Sequence, residues 1–197
     1  MADNHPLLNL AYKNPQTLLQ IKQAFSQNRD LPSVTLQKIF DEGKYRALAQ
    51  DAKKPSFRQK TGKMHSSFGA APIPASLKEA LSSKEFLGFC ATIFGCAITS
   101  VSGSLHRFAW KDYTLLHDEG MEKEGLDVII DFTDSWEGNA GGKIVYVDGT
   151  GNYHHIPSSP NTLTLASRKE GVLKFVQYVN HKAGKKSRVL FLGTFRR

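Results

Sequence analysis

The sequence predicts an α+β protein, with helices in its first half and an antiparallel β-sandwich or barrel in its second. Two observations predict it. The apolar period changes at Gly95, helical before it and alternating after it. Beyond Gly95 come about eight short alternating runs separated by turn residues, which suits antiparallel strands and not crossover units.

Asn14-Pro15 has the residues of a helix start, a capping side chain followed by Pro at the first helical position. Leu18, Leu19, Ile21 and Phe25 then recur at helical spacing up to Asn28, with Leu31 just beyond. Ser33 to Phe40 alternates through Val34 and Leu36, less strictly at Ile39-Phe40, and reads as a strand. A short helix is expected near Gly43 to Ala52. Lys53 to Pro74, rich in Lys, Ser, Gly and Pro, reads as an exposed mobile loop, a flap over a site. Ser76-Leu-Lys-Glu79 is a capping-box pattern. The helix it opens continues through Ser83 to Phe94, with Phe86, Phe89, Cys90 and Ile93 on one face, and Gly95 is its natural stop. Aromatics at that spacing belong to a core.

Strands are expected at 97–109, 113–117, 126–133, 143–147, 152–156, 161–166, 171–179 and 187–195. Asp148-Gly149-Thr150-Gly151 marks a hairpin turn between two of them. The reading is one domain over 1–197: a helical and mixed support region, 1–95, and a β core, 96–197.

Composition narrows the function. With 40% hydrophobic and 22% charged residues the chain is an ordinary globular protein. Its apolar runs are too short to cross a bilayer, so no membrane partner is expected. MADNHPLLNLAYKNP lacks a basic start followed by an apolar stretch, which argues against secretion. Cys90 and Cys96, around the end of a helix, read as packing residues in a reducing compartment, and a cytoplasmic location follows. The net charge of +8 would suit an anionic partner such as nucleic acid. The basic residues are spread out, however, and no basic run is interleaved with aromatics. Their densest cluster, Lys182, Lys185, Lys186 and Arg188, reads as a hairpin turn, so a solvated basic face is favoured over nucleic acid.

Several chemical signatures are missing: GxxxxGK[ST], GxGxxG after a strand, a CxxC pair and a GxSxG elbow. What remains is His117-Asp118-Glu119, where the strand Tyr113 to Leu116 runs into a loop. A histidine and a carboxylate two residues apart at a strand end face the same side. With a distant histidine they would form the facial triad of a non-haem iron site. Taken alone, the triplet is a weak signal and reads more readily as an exposed polar strand end.

Its surroundings form an ordered series. Phe108, Asp112-Tyr113, Leu115-Leu116 and His117-Asp118-Glu119 precede LDVIIDFT, Asp134-Ser-Trp136 and Gly141-Gly142. Asn161-Thr-Leu-Thr-Leu165, VLKFVQYV and Arg188 to Phe195 follow. From Ser82 to Phe195 this series resembles the prolyl-hydroxylase-like branch of the iron(II)- and 2-oxoglutarate-dependent oxygenases. The resemblance implies a double-stranded β-helix, a jelly-roll-like barrel buttressed by the N-terminal helices. It also implies Fe(II) and 2-oxoglutarate as cofactors, and a protein prolyl residue, another peptide or a small molecule as substrate.

Carried over, His117 matches the first iron ligand and Glu119 the carboxylate, with Asp118 the alternative. Arg188 matches the residue that grips the far carboxylate of 2-oxoglutarate, a task that suits a planar guanidinium fork. Phe108, where related hydroxylases use a tyrosine, and Tyr113 would lie beside the cosubstrate. Asp131 falls near another expected tyrosine. One departure weighs against the retained His117, Glu119 and Arg188: Lys174 stands where the second iron histidine belongs. His181 is the alternative third ligand if the register differs, although it reads more naturally as a turn residue. Two functions therefore compete, an iron-dependent dioxygenase and a catalytically degenerate β-helix module used for binding. On the second reading Lys174 pairs with Glu119 or Asp118 and the site holds no metal.

Overall fold

The computed structural model describes residues 6–62, 66–116, 124–157 and 159–197. His117, Asp118 and Glu119 lie outside the described residues.

Helix α1 (Pro15–Gln27) starts as its sequence signal requires: the Asn14 side chain accepts from the Gln16 and Thr17 amides. Ile21 and Phe25 turn inward and Leu19 outward. Strand β1 (Ser33–Gln37) follows, then α2 (Glu42–Lys53), capped by Asp41. The expected loop over 53–74 is instead largely a hairpin of β2 (Arg58–Thr61) and β3 (Ser67–Ala71), paired from Arg58↔Ala70 to Thr61↔Ser67. The physical reason is plain. All four β2 residues are exposed and polar, so the strand buries no apolar face and is held by its ladder.

The predicted long helix is two, α3 (Ala75–Ser82) and α4 (Lys84–Phe94), separated at Ser83. The capping box does not form. Helix α3 follows Pro74 without a side-chain cap, and Ser76 Oγ donates to Asp51 Oδ2 at 2.6 Å. Ser83 caps α4 by accepting from the Phe86 amide, and Gly95 ends it in the left-handed region at φ 70°. Cys90 is buried and Cys96 partly so, both as free thiols.

The remaining strands are β4 (Ser100–Phe108), β5 (Gly125–Asp131), β6 (Ile144–Val147), β7 (Tyr153–His155), β8 (Thr162–Arg168), β9 (Leu173–Val176) and β10 (Arg188–Arg196). They make a large sheet in the order β1-β8-β5-β10-β4-β3-β2 and a small one in the order β7-β6-β9. Every pairing among the described strands is antiparallel. The predicted strand at 113–117 shows, in its described part, a bridge from Tyr113 to Ser67 of β3. Its Thr114 amide donates to the Val176 carbonyl of β9 at 3.0 Å, so the segment touches both sheets. Among the described residues the strands form no closed barrel; the two sheets face one another.

Two apolar layers result. One lies between the helices and the large sheet, with Phe86, Ile93, Leu105, Ile130, Leu163, Val189 and Phe191. The other lies between the sheets, with Phe108, Ile129, Tyr146, Val176, Leu190 and Leu192. Strand alternation divides β10 between them, Val189 and Phe191 outward and Leu190 and Leu192 inward. Among the described residues no helix is long and apolar enough to cross a membrane.

Candidate functional site

The space between the sheets is not wholly apolar; it contains two buried clusters of charge. The first is built on Arg188, the opening residue of β10, in register with Phe108 of β4. Arg188 is buried, and its Nη2 donates to Asp131 Oδ2 at 2.9 Å while Nη1 donates to the Gly142 carbonyl. The Gly141-Gly142 pair makes this approach possible. Both have positive φ, and a Cβ on Gly141 would stand 2.1 Å from the Tyr178 carbonyl oxygen. Trp136 fixes the same turn by donating from Nε1 to the Gly141 carbonyl at 2.8 Å.

The second cluster is centred on Asp127 of β5, which is 1% exposed. Arg168 of β8 grips it with two bonds, Nε to Oδ2 and Nη2 to Oδ1, each 3.0 Å. Tyr146 of β6 donates its hydroxyl to Oδ2 at 2.8 Å. Lys174 of β9 brings its ammonium to 3.8 Å from the same oxygen. Burial alone would raise the Asp127 carboxyl, but the charge of Lys174, the Arg168 fork and the Tyr146 hydroxyl together hold it below its ordinary range.

Beside Lys174 opens a cavity of about 290 Å³, lined also by Phe68, His106, Leu192 and Thr194. His106 bonds to Ser104 Oγ through Nε2 at 2.9 Å, and its ring stacks on Phe68. Burial first, and then the charge of Lys174, depress its pKa to about 4, so it is neutral near pH 7.

The residues singled out from sequence fall as follows. Lys174 is buried and in register with Tyr146. Val176 shares its inward face, whereas Tyr178, beyond the end of β9, is exposed. Phe108 is fully buried against Phe68. Tyr113 packs on Tyr178 with ring centroids 6.0 Å apart. His181 is exposed at the start of a 3₁₀ turn, His181–Ala183. Among the described residues, no three His, Cys, Asp or Glu side chains form a group that could hold a metal.

Asp127, Arg168 and Tyr146 escaped the sequence reading. A signal was present. Asp127 and Asp131 interrupt an otherwise apolar strand at positions sharing one face, and buried carboxylates require cations.

A model of the family described as oxoglutarate and iron-dependent oxygenase degradation C-term matches residues 44–196. The chain belongs to that family. Solved structures agree on the fold of this oxygenase-degradation family member. A 2-oxoglutarate–Fe(II) oxygenase-family oxidoreductase from Burkholderia pseudomallei superposes with a TM-score of 0.68 at 11% identity, over 92% of each chain. A Pseudomonas putida prolyl-4-hydroxylase gives 0.67 at 12% identity, over 91% of this chain and 99% of that one. A Trichoplax adhaerens prolyl hydroxylase, solved with a hypoxia-inducible-factor oxygen-degradation-domain peptide fragment, gives 0.70 at 10% identity, over 94% and 91%.

Proposed function

We propose that this family member is a catalytically degenerate double-stranded β-helix that works by binding, with a peptide as partner. The observation that carries the reading is Lys174. The resemblance gives its position to the second iron histidine, and its ammonium lies 3.8 Å from the carboxylate of Asp127. A buried ammonium is a poor metal ligand and opposes a nearby dication on desolvation and Coulomb grounds. Arg188 supports the same reading, because its guanidinium already faces Asp131 and the Gly142 carbonyl. Lys174 and Arg188, as they are held here, thus speak against Fe(II) and 2-oxoglutarate. The choice of a peptide rests on the Trichoplax relative, which was solved with one.

The second reading is a 2-oxoglutarate-dependent dioxygenase, with a protein prolyl residue as its substrate. The spacing of His117, Asp118 and Glu119 favours it, with Arg188, Phe108 and Tyr113 beside the cosubstrate and His181 as the alternative third ligand.

An anaerobic titration with Fe(II) and 2-oxoglutarate separates the two. The expected result is weak iron binding without the visible charge-transfer band of the chelate, and tighter iron binding in Lys174→His. Stoichiometric tight iron in the natural sequence, indifferent to Lys174 but abolished by His181→Ala, would restore the enzyme.

A further inference from the structure

On the opposite face of the large sheet lies a second cavity, of about 370 Å³, that the oxygenase reading does not use. Lys53, Phe57, Arg107, Thr133, Lys186 and Ser187 line it. Its separation from the interior follows from strand alternation. Arg107 and Val189 are register partners facing outward, whereas their neighbours Phe108 and Arg188 face between the sheets.

The cleft has a built floor. Arg107 lies over the Phe57 ring, its guanidinium carbon 5.1 Å from the centroid. Both pass across Gly69 of β3, the register partner of Arg107. A Cβ at Gly69 would stand 3.0 Å from Phe57 Cβ and 3.5 Å from Arg107 Nε, so a larger residue would crowd the pair. Cation–π stacking holds the guanidinium in plane without neutralising it.

Lys53 reaches in from the end of α2 and Lys186 from the turn before β10. Each is met by an exposed carboxylate, and one of the two, Asp134, itself lines the cleft. Lys53 Nζ is 2.5 Å from Asp134 Oδ1, and Asp134 is 80% exposed. Lys186 Nζ is 3.6 Å from Glu137 Oε1, with both side chains more than half exposed. Exposed pairs of this kind are weak and readily exchanged for a better anion. Three cations from three separate segments thus converge on a cleft of small-ligand size, with Phe57 as an apolar wall and Ser187 as a hydroxyl donor.

We infer that this cleft binds the phosphate monoester of a small organic molecule. The phosphate sits among Lys53, Arg107 and Lys186, and the organic part lies against Phe57. A dianion with three acceptor oxygens satisfies several convergent donors at once, which one carboxylate oxygen cannot do.

Isothermal titration of the whole chain with AMP, inorganic phosphate and adenosine tests the inference. AMP should bind, phosphate should compete more weakly, and adenosine should not bind. Lys186→Ala and Arg107→Gln should each weaken AMP by about tenfold, the size of one lost charge-assisted bond. Asp134→Asn should tighten AMP by removing the competing carboxylate. Lys182→Ala, an exposed lysine outside the cleft, should leave it unchanged. Unaltered circular dichroism of Lys186→Ala guards against misfolding. No binding of AMP at millimolar concentration would overturn the inference, as would equal affinity for AMP in the natural chain and in folded Lys186→Ala. Phosphate binding as tightly as AMP would overturn the organic half.

Discussion

A carboxylate between two sheets must be answered by cations, and Asp127 is answered by Arg168 and Lys174. Its lowered pKa makes it a stabilising group at neutral pH. That contribution is complete above its ordinary value of 3.8 and is lost as pH falls through the lower folded value. His106 acts over a higher window. It is neutral in both states above its ordinary 6.5; below that, the unfolded chain takes up a proton that the folded protein refuses until about 4. Stability should therefore fall between pH 6.5 and 4, and His106→Gln should flatten that stretch of the profile measured by urea unfolding. An unchanged slope in the variant would assign the acid sensitivity elsewhere. At this scale the sequence told direction better than partnership. Alternation puts Arg188 on one face with Leu190 and Leu192, but nothing in a linear pattern pairs Arg188 with Asp131 across a sheet.

Secondary elements were legible wherever apolar periodicity or a local cap encoded them. Helix α1 and strands β4 to β10 each carry their own signal, and Asn14 and Gly95 mark helix ends through backbone chemistry a few residues long. The β2–β3 hairpin was not legible, because Arg58-Gln-Lys-Thr61 is polar throughout and its partner β3 is rich in small residues. The two serines of the α3–α4 region make the same point about caps. Ser83 accepts from the Phe86 amide at 3.2 Å and donates to the Ala80 carbonyl at 2.7 Å, so it both starts α4 and ends α3. Ser76 has the better motif but uses its hydroxyl on Asp51. Ser83→Ala should lower the unfolding free energy by about 1 kcal/mol, as for other lost N-caps. Ser76→Ala, which removes no cap, should cost less in the same chemical-denaturation series. The reverse order would mean that the helix boundary lies elsewhere.

For the whole molecule the question is what ties the two sheets together, since the Tyr113–Thr114 segment bonds to both but the described strands form no closed barrel. Part of the answer is the apolar layer around Phe108, Tyr146, Leu190 and Leu192. Another part is the charge cluster, in which β5 and β8 of the large sheet meet β6 and β9 of the small one at a single carboxylate. Removing that carboxylate leaves the Arg168 guanidinium, only 3% exposed, without its bidentate partner. Breaking a buried pair from one side typically costs about 3–5 kcal/mol, because the remaining charge cannot return to water. Asp127→Ala should therefore lower global stability by about that amount. The Tyr146 hydroxyl would lose its acceptor at the same time. Lys174→Met keeps the side-chain volume and leaves Asp127 held by Arg168 and Tyr146, so its cost should be distinctly smaller. Hydrogen exchange reads the staple directly. In Asp127→Ala, amides of β5 and of β9 should lose protection together, although they belong to different sheets. Loss confined to β5, with β9 as protected as before, would show that the charge cluster does not staple the sheets.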